Sequence, residues 1–496
     1  MGKKSKQLNQ TFLQSVDCVN DATDIIYPSY SRDEINIGIV HLGLGAFHRS
    51  HQAMYTEQLL NLQGGGDWGI CAVSFRNEVL QTQLNSQDCL YTMAILDVED
   101  SFQVVGAIKE VLVVKNQASE VVARMAAAAT KIVSLTVTEK GYCLNAEGVL
   151  DETLPEIVND LASPENPSSA IGLLVAALNL RFKNDIKPFH VIACDNLPDN
   201  GHKLKSAVIQ FANHICADLG LWITKEIYFP NTMVDSITPK TEQGTIDLIE
   251  NKLGLVDSAP VQRELFSQWV IQACPNIERP EWEKVGVIFT DDVASFENAK
   301  LRILNGLHSA LAYIGLLMGY ETVYQAISDQ KVKSFLVSLV DNEIIPTIEA
   351  PKALDLYDYS RAILARFENP KIQHLLSQIA CDGSIKIPVR TLGPIQNNVI
   401  AKRSIQSLSI VVAAWIHFIR LSYVKKQALH DPRSKELLSA VSRFQGDNNE
   451  DVKGFLGISG LLPEPLKTNA NFITSIQSAY AEILSTFKLS AFEVDA

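Results

Sequence analysis

The segment Phe296-Glu297-Asn298-Ala299-Lys300-Leu301-Arg302-Ile303-Leu304-Asn305-Gly306-Leu307-His308 carries side chains suited to proton transfer. On a regular helix with Lys300 at zero, Glu297 falls at about 60°, His308 at about 80° and Asn305 at about 140°. All four can face one side, while Leu301, Leu304 and Leu307 lie elsewhere. A polar stripe set into an apolar helix is costly to bury without a purpose, although a solvated face would show the same pattern. The chemistry it can serve is the interconversion of a carbonyl and an alcohol. Lys300 can give or take the proton of a developing alkoxide if partial burial lowers its pKa towards neutrality; Asn305 can donate to the oxyanion and His308 can bind a substrate oxygen. That set needs no metal. The eight cysteines include no C-x-x-C pair, and no zinc-ligand spacing is present.

A second candidate lies in Cys194-Asp195-Asn196-Leu197-Pro198-Asp199-Asn200-Gly201, directly after an apolar run. Open α/β sheets place their ligand crevice at such strand ends, so Asn196 can be a second oxyanion donor; an Asx turn would use the same residues. The third candidate is Gly43-Leu44-Gly45-Ala46-Phe47-His48, a G-x-G turn between a strand and a helix start. Glycines let the backbone approach a dinucleotide pyrophosphate, and the helix start offers N–H groups. His48 stands where the usual fingerprint has its third glycine. After the next strand come Arg76-Asn77-Glu78. Glu78 can accept from the adenosine ribose of NAD, whereas Arg76 can take the 2′-phosphate of NADP.

These residues need elements to hold them. From Ile35 to about Thr290, β-branched runs such as Ile37–Val40, Ile70–Val73, Ile132–Val137 and His190–Cys194 alternate with helical segments. This pattern predicts a parallel sheet covered on both faces, a Rossmann-type doubly wound α/β domain over residues 1–290. After Asp291 the periodicity is helical, predicting a mainly α-helical domain over residues 291–496. With 496 residues, 47% of them hydrophobic, there is ample core for both. The net charge of −13 disfavours nucleic acid and anionic membranes as partners. Met1 to Lys6 lead into polar residues rather than a secretory signal, and Ile410–Ile419 is too short an apolar run to span a bilayer. The expectation is a cytoplasmic protein with reduced thiols, monomeric or a small homo-oligomer, acting on a small molecule.

Taken together, HLGLGAFHRSHQ, VSLTVTEKGYC, CDNLPDNG, FPNTMVDSITP, FTDDVASFENAKLRILNGLHSALAYIG and DGSIKIP resemble the long-chain mannitol dehydrogenase family of polyol and uronate oxidoreductases. They run in order from His41 to Pro388. The resemblance implies a Rossmann-type domain, a helical C-terminal domain, NAD as cofactor with NADP not excluded, and no catalytic metal. It also implies Lys300 as acid–base, Asn196 and Asn305 as oxyanion donors, His308 as substrate contact, Glu297 as proton relay to solvent and Lys386 as substrate-binding lysine. Gly43, Gly45, Phe47, His48, Arg76, Glu78 and Asp235 form the expected cofactor set. Two positions depart from the family pattern: Ser236 replaces an arginine, and Asn77 stands where members carry the cofactor-selecting acid. Lys140 and Gln378 look like the fructuronate reductases, which convert D-fructuronate to D-mannonate, and Lys140 or Lys386 can meet a sugar-acid carboxylate. CDNLP and FPNTMVDSITP look closer to mannitol 2-dehydrogenases. A non-catalytic dinucleotide-binding protein would have kept the glycine turn but lost the proton-transfer set.

Overall fold

The structure, a computed structural model, describes residues 6–15, 25–275, 277–352 and 354–487; Met1 to Ser5 and Cys18 lie outside the described residues. The chain divides into two compact units, Met1–Ala294 and Ser295–Ala496.

In the first unit five parallel strands form the central sheet: β1 (Ile37–Leu42), β2 (Gly69–Ser74), β3 (Ile108–Val113), β4 (Ile132–Leu135) and β5 (His190–Ala193). Their order is β3-β2-β1-β4-β5. Alternate residues feed two separate cores. Val40, Leu42, Cys71, Val73, Val133, Leu135, Val191 and Ala193 pack into one. Ile39, Ile70, Ala72, Ile132 and Ile192 pack into the other. Both faces are therefore covered, which is why these strands read as unbroken apolar runs. β3 was harder to read because Lys109 and Glu110 interrupt it.

One expectation needs correction: the sheet does not run on to Thr290. Tyr91–Leu96 and Ser101–Val105 pair antiparallel across four residues, a connection too short for a parallel crossover. They belong to a separate four-stranded sheet with Val261–Glu264 and Ile25–Ile26, and Thr232–Asp235, Gln268–Gln272 and Ile288–Thr290 form a third. The helix after β1 is also split. α1 (Ala46–Ser50) ends at His51, where φ −122° and ψ −84° break the helix before it resumes at Gln52–Gln63.

The second unit contains α2 (Val293–Ala299, which begins just before it), α3 (Asn305–Leu317), α4 (Leu356–Phe367), α5 (Gly383–Ile387), α6 (Gln406–Val424) and α7 (Ala470–Thr486), among other helices. α6 is the apolar stretch identified in the sequence. It is long and apolar enough by composition to cross a membrane, yet 67% of its apolar window is buried inside the protein. It packs between α3 and α7. Its first turn is capped from another element. The buried Glu343 carboxylate accepts from Ser407 N at 3.0 Å, Leu408 N at 2.8 Å and Ser404 Oγ at 2.8 Å.

Two stretches between these helices, Lys300–Leu304 and Pro388–Leu392, are π-helical and pack against each other. The second follows from its sequence, because Pro388 has no N–H for the i−4 carbonyl and its ring crowds that turn. No proline lies within Lys300–Leu304.

Glu343→Ala should destabilise the protein by about 2–4 kcal/mol, since it removes charge-assisted capping bonds from a core helix, while Glu343→Gln should recover part of the loss. Thermal unfolding checks this, and an unchanged midpoint in the alanine variant would contradict the capping role.

Candidate active site

In the first unit, a cleft of about 1150 Å³ opens at the carboxyl ends of the parallel strands. Gly43 follows β1, Phe75 and Arg76 follow β2, Val114 to Glu120 follow β3, and Thr136 to Thr138 follow β4. The strand order reverses between β1 and β4, so this is the switch point where such sheets bind nucleotides. Gly43 is dictated by the chain itself. Its φ is +110°, and a Cβ there would lie 2.0 Å from the Thr136 carbonyl oxygen. Gly45 is different: its φ of −121° suits any residue, and its Cβ would meet nothing nearer than 3.8 Å. Neither strain nor packing explains that glycine, whose bare backbone leaves the turn open to close approach.

His41 fixes the base of the turn. Thr136 Oγ1 donates to Gly43 O at 2.9 Å, so the 2.8 Å contact between His41 Nε2 and Thr136 Oγ1 must run from the imidazole N–H. Nδ1 then accepts from Ser134 Oγ at 2.8 Å. Burial pushes the His41 pKa down to about 3, keeping the ring neutral. His48 stacks on it at 3.4 Å and is itself held well below its ordinary pKa, first by burial and then by His41. His48 is thus a buried support beneath the turn, not part of the cleft wall. Phe47, half-buried, stacks on His51 at 4.9 Å.

At the far end Arg76 lines the cleft and is exposed. Glu78 is not in the lining; its carboxylate pairs with Lys115 at 2.8 Å, and that contact lowers its pKa. Asn77, in the position of the family acid, caps the following helix through Leu80 N at 3.0 Å. Asp235 is buried on the strand Thr232–Asp235, outside the cleft lining, and Ser236 bonds Phe266 O at 3.0 Å.

Lys140 is exposed on a 3₁₀ turn, Glu139–Tyr142, and does not line the cleft. Asn196 is exposed just beyond β5. Its loop is braced by neighbours that the sequence reading passed over. Tyr142 Oη donates to Asp195 Oδ2 at 2.8 Å, tying the TEKGY turn to the CDNLP loop. Burial raises the Asp195 pKa to about 7 against the opposing Tyr142 bond. Asn200 Nδ2 donates to Asp195 O at 3.1 Å and to Thr232 O at 2.9 Å.

The second unit carries the lysine stripe, and here the regular-helix reading is corrected. Asn305 N–H donates to the Lys300 carbonyl five residues back, closing a π turn. One inserted residue sets the following helix back by about 100°, which moves Asn305 from about 140° to about 40° and His308 to about 20° on the other side of Lys300. The stripe is narrower than the sequence implied. Arg390, from the facing π segment, braces it through Asn305 O at 3.4 Å and Ser309 Oγ at 3.2 Å. Lys300, Glu297 and Asn305 are half-buried. His308 is buried, with Phe367 stacked at 4.5 Å and His374 edge-on at 5.6 Å. Its pKa is lowered most by burial, then by His374, Arg366, Arg390 and Lys300. Lys386 donates to Ile379 O at 3.2 Å; burial and then Arg390 lower its pKa. Gln378 is exposed on the short helix Leu376–Ile379. Arg390 and His374 were missed. Arg390 follows Lys386 by one helical turn, a usable signal, but nothing local marks His374. Among the described residues no three His, Cys, Asp or Glu side chains are grouped to hold a metal.

Fold and cleft together define the class: a Rossmann-type oxidoreductase with an appended helical domain. A family model of the mannitol dehydrogenase Rossmann domain matches residues 37–284, and one of the mannitol dehydrogenase C-terminal domain matches residues 292–484. The chain belongs to the mannitol dehydrogenase family. It is 39% identical over 473 residues to a D-mannonate oxidoreductase of Escherichia coli, covering 94% of this chain and 97% of the relative. It is 35% identical over 489 residues to a mannitol 2-dehydrogenase of Aspergillus fumigatus, covering 96% of both. The solved mannitol 2-dehydrogenase of Pseudomonas fluorescens, a ternary complex with NAD and D-mannitol, superposes with a TM-score of 0.80 at 33% identity, covering 97% of this chain and 99% of that one.

Gly43→Ala should cost about 3 kcal/mol or more in stability, from the strained φ and the carbonyl clash. Gly45→Ala should stay within about 1 kcal/mol of the parent yet weaken NADH binding tenfold or more. Thermal unfolding and NADH fluorescence titration check the pair; unimpaired NADH binding by Gly45→Ala would remove that turn from the cofactor site.

Proposed function

We propose that the protein interconverts a 2-keto sugar acid and its secondary alcohol, D-fructuronate and D-mannonate. In class it is an NAD-dependent dehydrogenase acting on a CH–OH group. The observation that carries the sugar-acid reading is the positive charge around His308. In a chain of net charge −13, Lys300, Arg366 and Arg390 all act on that buried ring, and Lys386 acts on its neighbour His374. Such a cluster suits an anionic substrate, and a charge-assisted hydrogen bond to a carboxylate is roughly twice as strong as a neutral one.

Gly43, Arg76, Val114, Asn116 and Thr136, which line the cleft, would hold NAD together with the backbone of the turn at Gly45; NAD when bound accepts or supplies the two electrons of the reaction. Lys300 gives the proton to the nascent alkoxide in reduction and removes it in oxidation. Asn305 donates its amide N–H to that oxygen, and Asn196 takes the second donor role. Glu297, one turn before Lys300, returns the proton to solvent. His308 binds a substrate oxygen, and Lys386 meets the carboxylate. Lys140 and Gln378, both exposed, have less to offer a buried carboxylate. The second reading, D-mannitol and D-fructose, is favoured by the mannitol-type CDNLP and FPNTMVDSITP stretches and by the Pseudomonas fluorescens likeness. A reducing cytoplasmic setting accords with the seven described cysteines, all free thiols.

Lys300→Ala should lower kcat by about 10²–10⁴-fold, and Asn305→Ala by about 10²–10³-fold, with NADH affinity retained in both. Stopped-flow and steady-state kinetics check this; near-normal turnover by Lys300→Ala would end the acid–base assignment. Side by side, D-fructuronate should exceed D-fructose in kcat/KM by about tenfold or more, the worth of one charge-assisted hydrogen bond. A preference for fructose would transfer the assignment to the mannitol reading.

A further inference from the structure

His374 comes from a segment with no motif of its own, yet the fold fixes it closely. The chain from His374 to Leu376 is held extended by short strand-like pairing: Val323 N–H donates to His374 O at 3.0 Å and Leu376 N–H to Glu321 O at 2.9 Å, around the Thr322–Leu375 bridge. That pairing sets the imidazole edge-on to His308, with the rings at 84° and centroids 5.6 Å apart. Phe367 closes one face of His308, so that ring cannot swing away from its neighbour.

The two histidines share a feature. His308 Nε2 and His374 Nδ1 are both buried, and neither has a hydrogen-bond partner among the described residues. His308 as a whole is more than nine-tenths buried, at 8% exposure. A buried polar nitrogen without a partner is costly, and a ligand oxygen that reaches it recovers that cost. The two nitrogens sit on perpendicular rings, so a substrate with two separate oxygens can use both. Lys386, whose amine is held on Ile379 O, acts electrostatically on His374, while Asp382 and Asp431 act on Lys386 itself.

We propose that His374 is a specificity-determining residue that donates from Nδ1 to the carboxylate of the sugar acid, beside Lys386, while His308 serves an oxygen nearer the reacting carbon. The inference rests on the sugar-acid reading above and deepens it. A sugar acid presents both a hydroxylated chain and a carboxylate, and the His308–His374 pair meets each with its own nitrogen. A ketose or polyol ends instead in a neutral hydroxyl, which gains less from a cationic surrounding. Burial, and then Lys386, lower the His374 pKa; a neutral imidazole offers one N–H, and the assigned role requires it on Nδ1.

The test uses the full chain with NADH and compares D-fructuronate with D-fructose for wild type, His374→Leu and His374→Asn. Asparagine places an amide N–H near the position of imidazole Nδ1, whereas leucine removes the donor and keeps the bulk. His374→Leu should lose tenfold or more in kcat/KM on fructuronate, mainly through KM, and less than about threefold on fructose. His374→Asn should recover most of the fructuronate activity. Equal losses on both substrates, or an asparagine variant as poor as leucine, would overturn the assignment. If His374→Leu fails to fold, His374→Gln takes its place, because its longer amide reaches the Nε2 position instead; equal activity of the asparagine and glutamine variants on fructuronate would then overturn it. Wild type that prefers fructose rejects the sugar-acid reading itself, an outcome distinct from a wild type that prefers fructuronate with variants that lose both.

Discussion

The bond from Asn305 N–H to the Lys300 carbonyl is a small feature that sets the phase of the polar stripe in the second unit. A regular helix would leave Asn305 about 140° from Lys300, at the far edge of the stripe. The π turn makes one stretch of chain present a lysine amine, an amide and an imidazole in a narrow file. Each of these side chains then needs only a staggered rotamer to point the same way. The cost of the weaker π hydrogen bonding is offset by a facing π segment, whose Arg390 reaches back to the Asn305 carbonyl and Ser309. Two irregular turns support one another where either alone would be a weak point in a helical core.

The first unit solves a different problem, turning the backbone sharply between β1 and α1 at the edge of the cleft. Gly43 allows β1 to pass against the end of β4, and the Thr136–His41–Ser134 chain locks that crossing. The stacked, neutral His41–His48 pair provides a rigid floor. Charge on either ring would repel the other and would add cost in a buried place, so desolvation and stacking favour the same protonation state.

Electrostatics in this chain is local rather than global. A protein of net charge −13 has no overall affinity for sugar acids, yet the second unit gathers Lys300, Arg366, Lys386 and Arg390 around two imidazoles. Burial makes that gathering matter, because Coulomb interactions weaken with dielectric and exposed cations are screened within about 10 Å. Exposed Lys140 and half-buried Lys386 are the same residue type under different physics, which sequence alone could not distinguish.

Much of the fold was legible because the signals were periodic or conformationally demanding. Unbroken apolar strands required a sheet covered on both faces; the long apolar run at Ile410–Ile419 required a buried helix; Gly43 marked a turn that no other residue could make. The types of the candidate side chains, and the family they resemble, were likewise written in the residues at Gly43, Asn196, Lys300, Asn305, His308 and Lys386. Tertiary structure decided which of these are displayed and in what phase. It buried His48 as a support, committed Asn77 to a helix cap and Glu78 to Lys115, and brought His374 against His308 from a segment without a motif. It also inserted the π turn that rotates Asn305 onto the lysine face. The reason is physical: periodicity and backbone strain act over a few neighbouring residues, whereas burial, helix phase and ring-on-ring contact are set by elements that meet only after the chain has folded.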